Sequence, residues 1–414
     1  MGMVDAALLG RYDSTALAAA SVGNSLLLAF SVVGLGVVMG LDTVLPQVIG
    51  ARRDEDARRL LNAGLRLALI SGGLAMLMVI PALIVIEVAA VDPEVARGAR
   101  VYIALRALGI VPFLLSVALR SYLAARGNIR PLLEAVIVGN IVNAALDVVL
   151  IRGAGPIPAL GIAGAALATD SVQVVCAIFY ARSVRAIDGN QARPPSTRED
   201  LATIARFGFP VGGQLCAEAA IFGIAGVLAA CLGSVPAAAH AVALNLSGFA
   251  FSIGMGIASA INVRVGLATG AGDRALARRR GLLGFTTSLT VMACFAVVFI
   301  GFPGPLASFF SDQSEVVVAA RPVLRIAALF QLSDGTQAVA AGALRGLGDT
   351  RAAFICSVVG HYGVGLAISL SLAFVAGWGT PGLWLGLSAG FIVNGVYLCF
   401  RFHRLTAPAE LGLR

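Results

Sequence analysis

The chain is a near-continuous series of apolar stretches, and this pattern restricts it to very few fold classes. Most of the stretches exceed about 18 residues, the length that lets a helix cross the hydrocarbon core of a bilayer. They are continuous rather than alternating, which argues against membrane-spanning strands. Only 13% of the 414 residues are charged, about half of what a soluble domain carries. We therefore predict an all-α polytopic membrane protein.

Charged and Gly/Pro-rich breaks divide the chain into eleven predicted helices, preceded by a short apolar fragment at residues 1–10. The predicted helices cover residues 15–46, 60–89, 95–124, 131–152, 159–185, 200–232, 236–268, 281–306, 316–344, 352–376 and 380–402. The longest polar segment, residues 186–200, contains two consecutive prolines and several charges. This composition is typical of a flexible linker.

The two halves of the chain resemble each other at a constant offset. Residues 16–40 resemble residues 237–260, and the loops at 50–59 and 270–279 also match, with an offset of 220–221 residues. Such a repeat predicts two six-helix lobes in the same orientation, which transporters use to build a central cavity. The predicted domains are an N-lobe at 1–185, a cytoplasmic linker at 186–200 and a C-lobe at 201–414.

The repeat also bears on the first helix. The first helix of the second half starts near Arg206, so its counterpart at the repeat offset would start before Met1. We therefore expect a truncated first helix, from a misassigned start or a shortened chain. A genuine eleven-helix protein is the alternative. With twelve helices, both termini would lie on the same side of the membrane.

Arginine supplies all 30 basic residues, and it clusters in alternate connections between the apolar stretches. The connections near 233–236 and 377–380 contain none. This alternation predicts that the Arg-rich loops lie in the cytoplasm. Contact with anionic lipid accounts for the net charge of +8, so we expect no nucleic-acid partner.

Acidic residues inside apolar spans are candidates for function, because burying a charge in a bilayer costs energy. Glu218 lies about a dozen residues inside its predicted helix, with Gln214 one turn earlier on the same face. Asp334 lies near the middle of another helix, close to Ser333 and Gln337. The two carboxyl groups could form a proton or cation site, or they could serve as hydrogen-bonding contacts between helices.

The first half offers a second acidic cluster. Asn143 and Asp147 are spaced i,i+4, which places an amide and a carboxyl on one helical face, and Asp5 could add another carboxylate. A cluster of oxygens suits Na⁺, whereas a lone carboxyl suits a proton. Asp42 and Asp170 lie near predicted helix ends, where capping is a sufficient explanation.

Other chemistry has little support in the sequence. The six cysteines are scattered singly, and His240 and His361 lie in different helices with no partner at ligand spacing. We expect packing roles for the histidines and no cofactor other than a transported Na⁺ or H⁺. No nucleotide-binding motif is present, so the sequence does not predict ATP-driven transport.

Several segments resemble the multidrug and toxic compound extrusion (MATE) family. VDAALLGRYDSTALAAASVGNSL, followed by GLDTVLPQVIGARRDEDARR, is similar to the opening of these exporters. GFPVGGQLCAEAAIF looks like the seventh helix, and FQLSDGTQAVAAGALRGLGDT with GLWLGL looks like the tenth to twelfth. The resemblance covers essentially the whole chain. It implies a V-shaped fold of two six-helix lobes that exchanges drugs for Na⁺ or H⁺ by alternating access.

The resemblance also implies roles for single residues. It is closest to the NorM-like branch, in which acidic residues matching Glu218 and Asp334 form a cation site in the second lobe. Asp5, Asn143 and Asp147 match the first-lobe cluster of the DinF-like branch.

The substrate cavity has its own predicted residues, among them one that departs from the family pattern. Phe330 stands where NorM-like relatives can carry a tyrosine, which favours H⁺ over Na⁺. The residues that we expect to line the substrate cavity are Gln214, Asn245, Ser333 and Phe330.

We therefore expect a secondary active exporter, not an enzyme, that antiports organic cations or other amphipathic toxic compounds against H⁺ or Na⁺. It would act as a monomer in the bacterial cytoplasmic membrane, with both termini of the full-length protein in the cytoplasm. Three alternatives stay open: a flippase or natural-product exporter of the same superfamily, a membrane-embedded lipid-modifying enzyme, and a non-transporting remnant.

Overall fold

The structure, a computed structural model, describes residues 13–88, 92–153, 158–189 and 194–407, together with Leu9 and Gln191. All regular elements within this part are helical. They are α1 (Ser14–Gly50), α2 (Asp54–Val88), α3 (Pro93–Arg106), α4 (Ile110–Ala125), α5 (Arg130–Arg152), α6 (Ile162–Asp188), α7 (Arg198–Cys231), α8 (Ser234–Gly270), α9 (Arg274–Gly301), α10 (Pro303–Ser308), α11 (Ser314–Gly346), α12 (Thr350–Val358), α13 (Ala367–Leu370) and α14 (Gly379–Thr406). A 3₁₀ turn, Ala107–Gly109, joins α3 to α4, and π-helical turns at Val359–Leu366 and Ser371–Val375 flank α13.

Within the described residues, eleven helical segments are long and apolar enough to cross a membrane. They confirm the eleven predicted helices and the all-α polytopic class. The fragment predicted at 1–10 lies outside the described residues, apart from Leu9.

One predicted span was misplaced at both ends. The helix predicted over 281–306 begins at Arg274, because Asp273 accepts a hydrogen bond from the backbone N–H of Leu276 and arginine is a good helix former. It ends at Gly301, before Pro303 starts the separate short helix α10.

The internal repeat is visible in the starting points of the helices. α1 and α8 begin at Ser14 and Ser234, and α2 and α9 begin at Asp54 and Arg274. The tight loops repeat as well, since Gly127 and Gly348 have φ of 74° and 85°. These positions keep the predicted offset, so the two halves of the chain share one succession of helices and turns.

The chain forms two compact units. Unit 1 contains the described residues of Met1–Leu41 and Arg53–Gly212, and unit 2 contains Asp42–Arg52 and Gly213–Arg414. Two helices therefore contribute to both units: α1 changes unit after Leu41, and α7 changes after Gly212.

The segment predicted as a linker, residues 186–200, includes the end of α6 and the start of α7. The side chain of Asn62 donates to the carbonyl oxygen of Pro194 at 3.1 Å, and Arg66 donates to that of Ser196 at 3.3 Å. Thr197 and Asp200 then cap α7 reciprocally, each side chain accepting a hydrogen bond from the other's backbone N–H. The start of α7 is thus held against α2 inside unit 1.

In unit 2, α11 is the central helix. It packs against α8, α9 and α14, and alanines and glycines make up much of its buried surface. Small side chains let neighbouring helices approach closely, which is how helices associate where lipid supplies no hydrophobic driving force. α11 also carries Asp334, Gln337 and Arg345 into the interior of unit 2.

Unit 1 contains an equally close approach between α1 and α7. A Cβ atom added to Gly40 would lie 2.1 Å from the carbonyl oxygen of Ile204 and 2.9 Å from the backbone nitrogen of Gly208. No side chain fits there unless the two helix backbones separate.

We predict that Gly40→Ala lowers stability by about 1 to 3 kcal/mol, because the added methyl overpacks a backbone contact. Gly73→Ala is the matched control, since a Cβ atom at Gly73 meets nothing within 4 Å. That variant should be neutral or slightly stabilised, as alanine is the better helix former. Thermal unfolding in detergent measures both. Equal melting temperatures for the two variants would contradict the close approach of α1 and α7.

Candidate functional site

A buried polar network in unit 2 is centred on Glu218 of α7. Its Oε1 atom accepts hydrogen bonds from the amide nitrogens of Gln214 at 2.9 Å and Gln337 at 2.8 Å, and from the Ser357 hydroxyl at 3.4 Å. Gln214 is 2% exposed and Gln337 is also 2% exposed. The predicted pairing of Gln214 with Glu218 on one helical face is confirmed, and α11 and α12 add the other donors.

The orientation of the two amide groups that donate to Glu218 is set by the residues behind them. Arg345 donates to Gln214 Oε1 at 3.0 Å. Because a guanidinium can only donate, the Gln214 amide must turn its nitrogen toward Glu218. Gln337 is fixed in the same way, since its Oε1 accepts from Asn394 at 3.4 Å. The amide nitrogens therefore face the carboxyl group, and their oxygens face away from it.

Arg345, like Ser357 and Asn394, is a residue of this network that the sequence did not predict. It follows the helix predicted over 316–344, among the arginines that the alternation of charge assigns to cytoplasmic connections, but it lies in the last turn of α11 and is only 8% exposed. It is in electrostatic contact with Glu218 and with Asp42 of α1. Its burial near two acids depends on which helices meet, and the sequence alone does not show that.

Asn394 of α14 extends the network to His361. Its amide nitrogen lies 3.2 Å from the Nε2 atom of His361, and the Cys356 thiol lies 3.1 Å from its Oδ1 atom. A Cβ atom on Gly360 would sit 1.9 Å from the same Oδ1 atom. Gly360, which lies in the π-helical turn at Val359–Leu366, thus leaves room for Asn394, and π-helical turns recur at functional sites.

Asp334 is 3% exposed and interacts electrostatically with Glu218. Unit 2 thus holds a buried carboxyl group at Asp334, a half-buried one at Glu218 and a buried guanidinium at Arg345. Within the described residues, no three His, Cys, Asp or Glu side chains group as a metal site would require. Ionisable side chains inside membrane-crossing helices are candidates for binding an ion or a proton.

The other residues predicted for a substrate cavity lie in different surroundings. Ser333 donates to the carbonyl oxygen of Phe330 at 2.8 Å. The Phe330 ring is 1% exposed and packs edge-on against Trp384 and Phe391, with centroids 5.4 and 4.7 Å away. Asn245 is exposed on α8 and donates to the carbonyl oxygen of Ala241, one turn earlier. Of the four residues, only Gln214 touches Glu218.

In unit 1, Asn143 and Asp147 of α5 are both 0% exposed. The amide nitrogen and oxygen of Asn143 make no hydrogen bond within the described part of the chain. Asp5, the third residue of this predicted cluster, lies outside the described residues. The structure therefore places an amide and a carboxyl together, one helical turn apart, in the interior of unit 1.

Unit 1 also contains an ion pair that corrects a prediction. Asp170 was assigned to a helix end, yet it lies inside α6, is 8% exposed and pairs with Arg106. The end of α3 and the 3₁₀ turn at Ala107–Gly109 bring Arg106 to it. Asp42 is likewise inside a helix, since α1 continues to Gly50.

Carboxyl groups held by amides inside helices of membrane-crossing length are typical of membrane transporters. The family model MatE matches residues 1–149 and 210–370 of this chain. The chain belongs to this family, the multidrug and toxic compound extrusion (MATE) transporters, which confirms the resemblance of its motifs.

Curated relatives extend the match to nearly full length. The "Probable multidrug resistance protein NorM" of Deinococcus radiodurans is 36% identical over 412 residues, covering 97% of this chain and 90% of the relative. The protein of the same name from Mesorhizobium japonicum is 31% identical over 430 residues, covering 100% and 92%. The family is one of transporters and not of enzymes, as predicted, and it implies small-molecule substrates and a multi-pass membrane protein.

Solved structures share the fold. A MATE transporter in the straight conformation superposes with a TM-score of 0.90 at 19% identity, covering 98% of this chain and 92% of that chain. The eukaryotic MATE transporter AtDTX14 superposes with a TM-score of 0.86 at 20% identity, covering 98% and 93%.

We predict that Arg345→Met destabilises the protein by about 3 kcal/mol, because it leaves Gln214 Oε1 and the charge of Glu218 without their buried partner. Arg325→Met removes an exposed arginine from the same helix and should change stability by less than about 0.5 kcal/mol. Adding Glu218→Gln to Arg345→Met should restore part of the loss, since the two charges depend on each other. Unfolding in detergent measures all three, and strictly additive losses would contradict the coupling.

Proposed function

We propose that the chain is a proton-coupled multidrug exporter that antiports amphipathic organic cations against H⁺ by alternating access. One observation carries the proposal: three donors converge on Oε1 of Glu218, and no described hydrogen bond involves its Oε2 atom. A carboxyl group with one fixed and one open oxygen can exchange a proton without rebuilding the network around it.

The nature of the donors supports H⁺ rather than Na⁺. Na⁺ is held by several oxygen ligands, whereas Glu218 Oε1 is surrounded by the amide nitrogens of Gln214 and Gln337. Phe330 adds an aromatic ring without an oxygen, and its ring is already packed on Trp384. The oxygens left for a cation are few, while a proton needs only one.

Coupling then follows from competition for negative charge. A deprotonated Glu218 or Asp334 attracts a lipophilic cation, and protonation removes that attraction. Transport requires this competition to differ between the two access states of the protein. Arg345 offsets one negative charge in unit 2. With one of the two carboxyl groups protonated, these three side chains are therefore neutral in sum, and loss of that proton leaves one negative charge that a monovalent organic cation can balance.

A second coupling site is proposed in unit 1, at Asn143 and Asp147 with Asp5. We further propose a monomer in the bacterial cytoplasmic membrane. The Arg-rich ends of the helices and both termini of the full-length protein would lie in the cytoplasm, as the distribution of arginine indicates.

In proteoliposomes, we expect a pH gradient alone to drive ethidium efflux and a Na⁺ gradient alone to be ineffective. Glu218→Gln should lower proton-driven efflux at least about tenfold, since couplings of this kind span about 5- to 150-fold. Glu134→Gln, an acid in a surface pair with Arg130, is the control and should retain the wild-type rate. Undiminished efflux by Glu218→Gln would refute the coupling role, and efflux driven by Na⁺ alone would refute the choice of ion.

For unit 1, we expect Asp147→Asn to reduce proton-driven efflux, because a side-chain amide does not bind and release a proton near neutral pH. The reduction should be at least about fivefold, the lower end of couplings of this kind. Asp273→Asn is a matched control, since asparagine caps α9 as well as aspartate does. Full activity of Asp147→Asn, at equal protein levels in the vesicles, would leave unit 2 as the sole coupling site.

A further inference from the structure

A cavity lies between the start of α9 and the end of α14, and none of its lining residues belongs to the Glu218 network. Its volume is about 590 Å³. Arg274, Arg278 and Arg279 line one part of it, and Leu282 and Leu283 line another. Thr406 and Ala407, where α14 ends, line it too. All these residues belong to unit 2.

The arginines of this cavity carry unbalanced positive charge. No ion pair among the described residues includes Arg274, Arg278 or Arg279. The adjacent acid, Asp273, uses its side chain to cap α9. One guanidinium nitrogen of Arg278 lies 3.3 Å from the ring of His403, a neutral or positive partner. The cavity therefore attracts an anion.

The order of residues along α9 favours an anionic lipid over a free phosphate. Arg274, Arg278 and Leu282 follow at i,i+4 spacing on one face, so charge gives way to apolar surface with depth, at about 6 Å per step. Leu282 and Leu283 are 44% and 54% exposed. This helix is long and apolar enough to cross a membrane, and its arginines lie in its first turns. A free phosphate would use only the arginines, whereas a lipid would also cover the two leucines.

We propose that this cavity binds an anionic phospholipid, with the phosphodiester on Arg274, Arg278 and Arg279 and an acyl chain along Leu282 and Leu283. Basic pockets between helices at the cytoplasmic side of membrane proteins bind anionic headgroups in this way. The site is separate from the buried network and holds whether or not the protein couples transport to protons.

Native mass spectrometry of the full chain in detergent, titrated with phosphatidylglycerol or phosphatidylcholine, tests the site. Arg278→Gln/Arg279→Gln should weaken phosphatidylglycerol binding about 25-fold, since one arginine near a membrane surface changes affinity about fivefold. Phosphatidylcholine binding should change less than about twofold. The matched control, Arg182→Gln/Arg185→Gln, removes two exposed arginines from the Arg-rich end of α6 and should bind phosphatidylglycerol like the wild type.

Two further arms identify the occupant. Leu283→Asn should weaken phosphatidylglycerol binding, and inorganic phosphate should not displace the lipid, because the acyl chain contributes to binding. Equal binding by the Arg278/Arg279 variant and the wild type would overturn the proposal. So would displacement by inorganic phosphate, or a gain in lipid binding only after removal of residues 408–414, which would identify the chain's own end as the occupant. Unchanged melting temperatures verify that the variants are folded.

Discussion

A polar group inside a bilayer-spanning bundle is costly unless the protein supplies its partner, because lipid offers none. In unit 2, this requirement converges on one atom, Oε1 of Glu218. Its partners and their supports come from separate helices: Gln214 from α7, Gln337 and Arg345 from α11, Ser357 from α12 and Asn394 from α14. The positions of four helices are therefore tied to the satisfaction of a single carboxyl group. A change in its protonation or in its ligand acts on all of them together.

Close packing makes such a network possible within an apolar bundle. The chain contains 49 glycines, and several of them, such as Gly40 and Gly360, stand where a methyl group would strike a neighbouring backbone or side chain. Small residues bring helix backbones near each other, so that short side chains such as Ser357 and Asn394 can reach across. The same residues that hold the helices together thus determine which polar groups can meet.

The sequence was sufficient for the helices, the repeat and the pairing of Gln214 with Glu218, because hydrophobic runs and a helical period are local signals. It was insufficient for Arg345 and for the Arg106–Asp170 pair. Both depend on which faces of distant helices meet. A period of 3.6 residues shows which residues share a helix face, but it does not show which other helix packs against that face. Arg345 also lies next to a loop, where an arginine is ordinarily exposed, so its position in the sequence did not indicate burial.

The repeat itself explains why similarity between the halves did not locate the sites. At an offset of 221 residues, Asp334 corresponds to Phe113, and Arg345 corresponds to Ala124. Conversely, Asp170 corresponds to Phe391, whose ring packs on Phe330 in unit 2. At these equivalent positions, unit 1 thus holds the ion pair of Asp170 with Arg106, and unit 2 holds the aromatic contact of Phe391 with Phe330. The repeat preserves helix lengths and turns, while the buried charges occupy non-equivalent positions. Two units built on one plan therefore offer different charges to a cation, so the roles of the two sites need not be interchangeable.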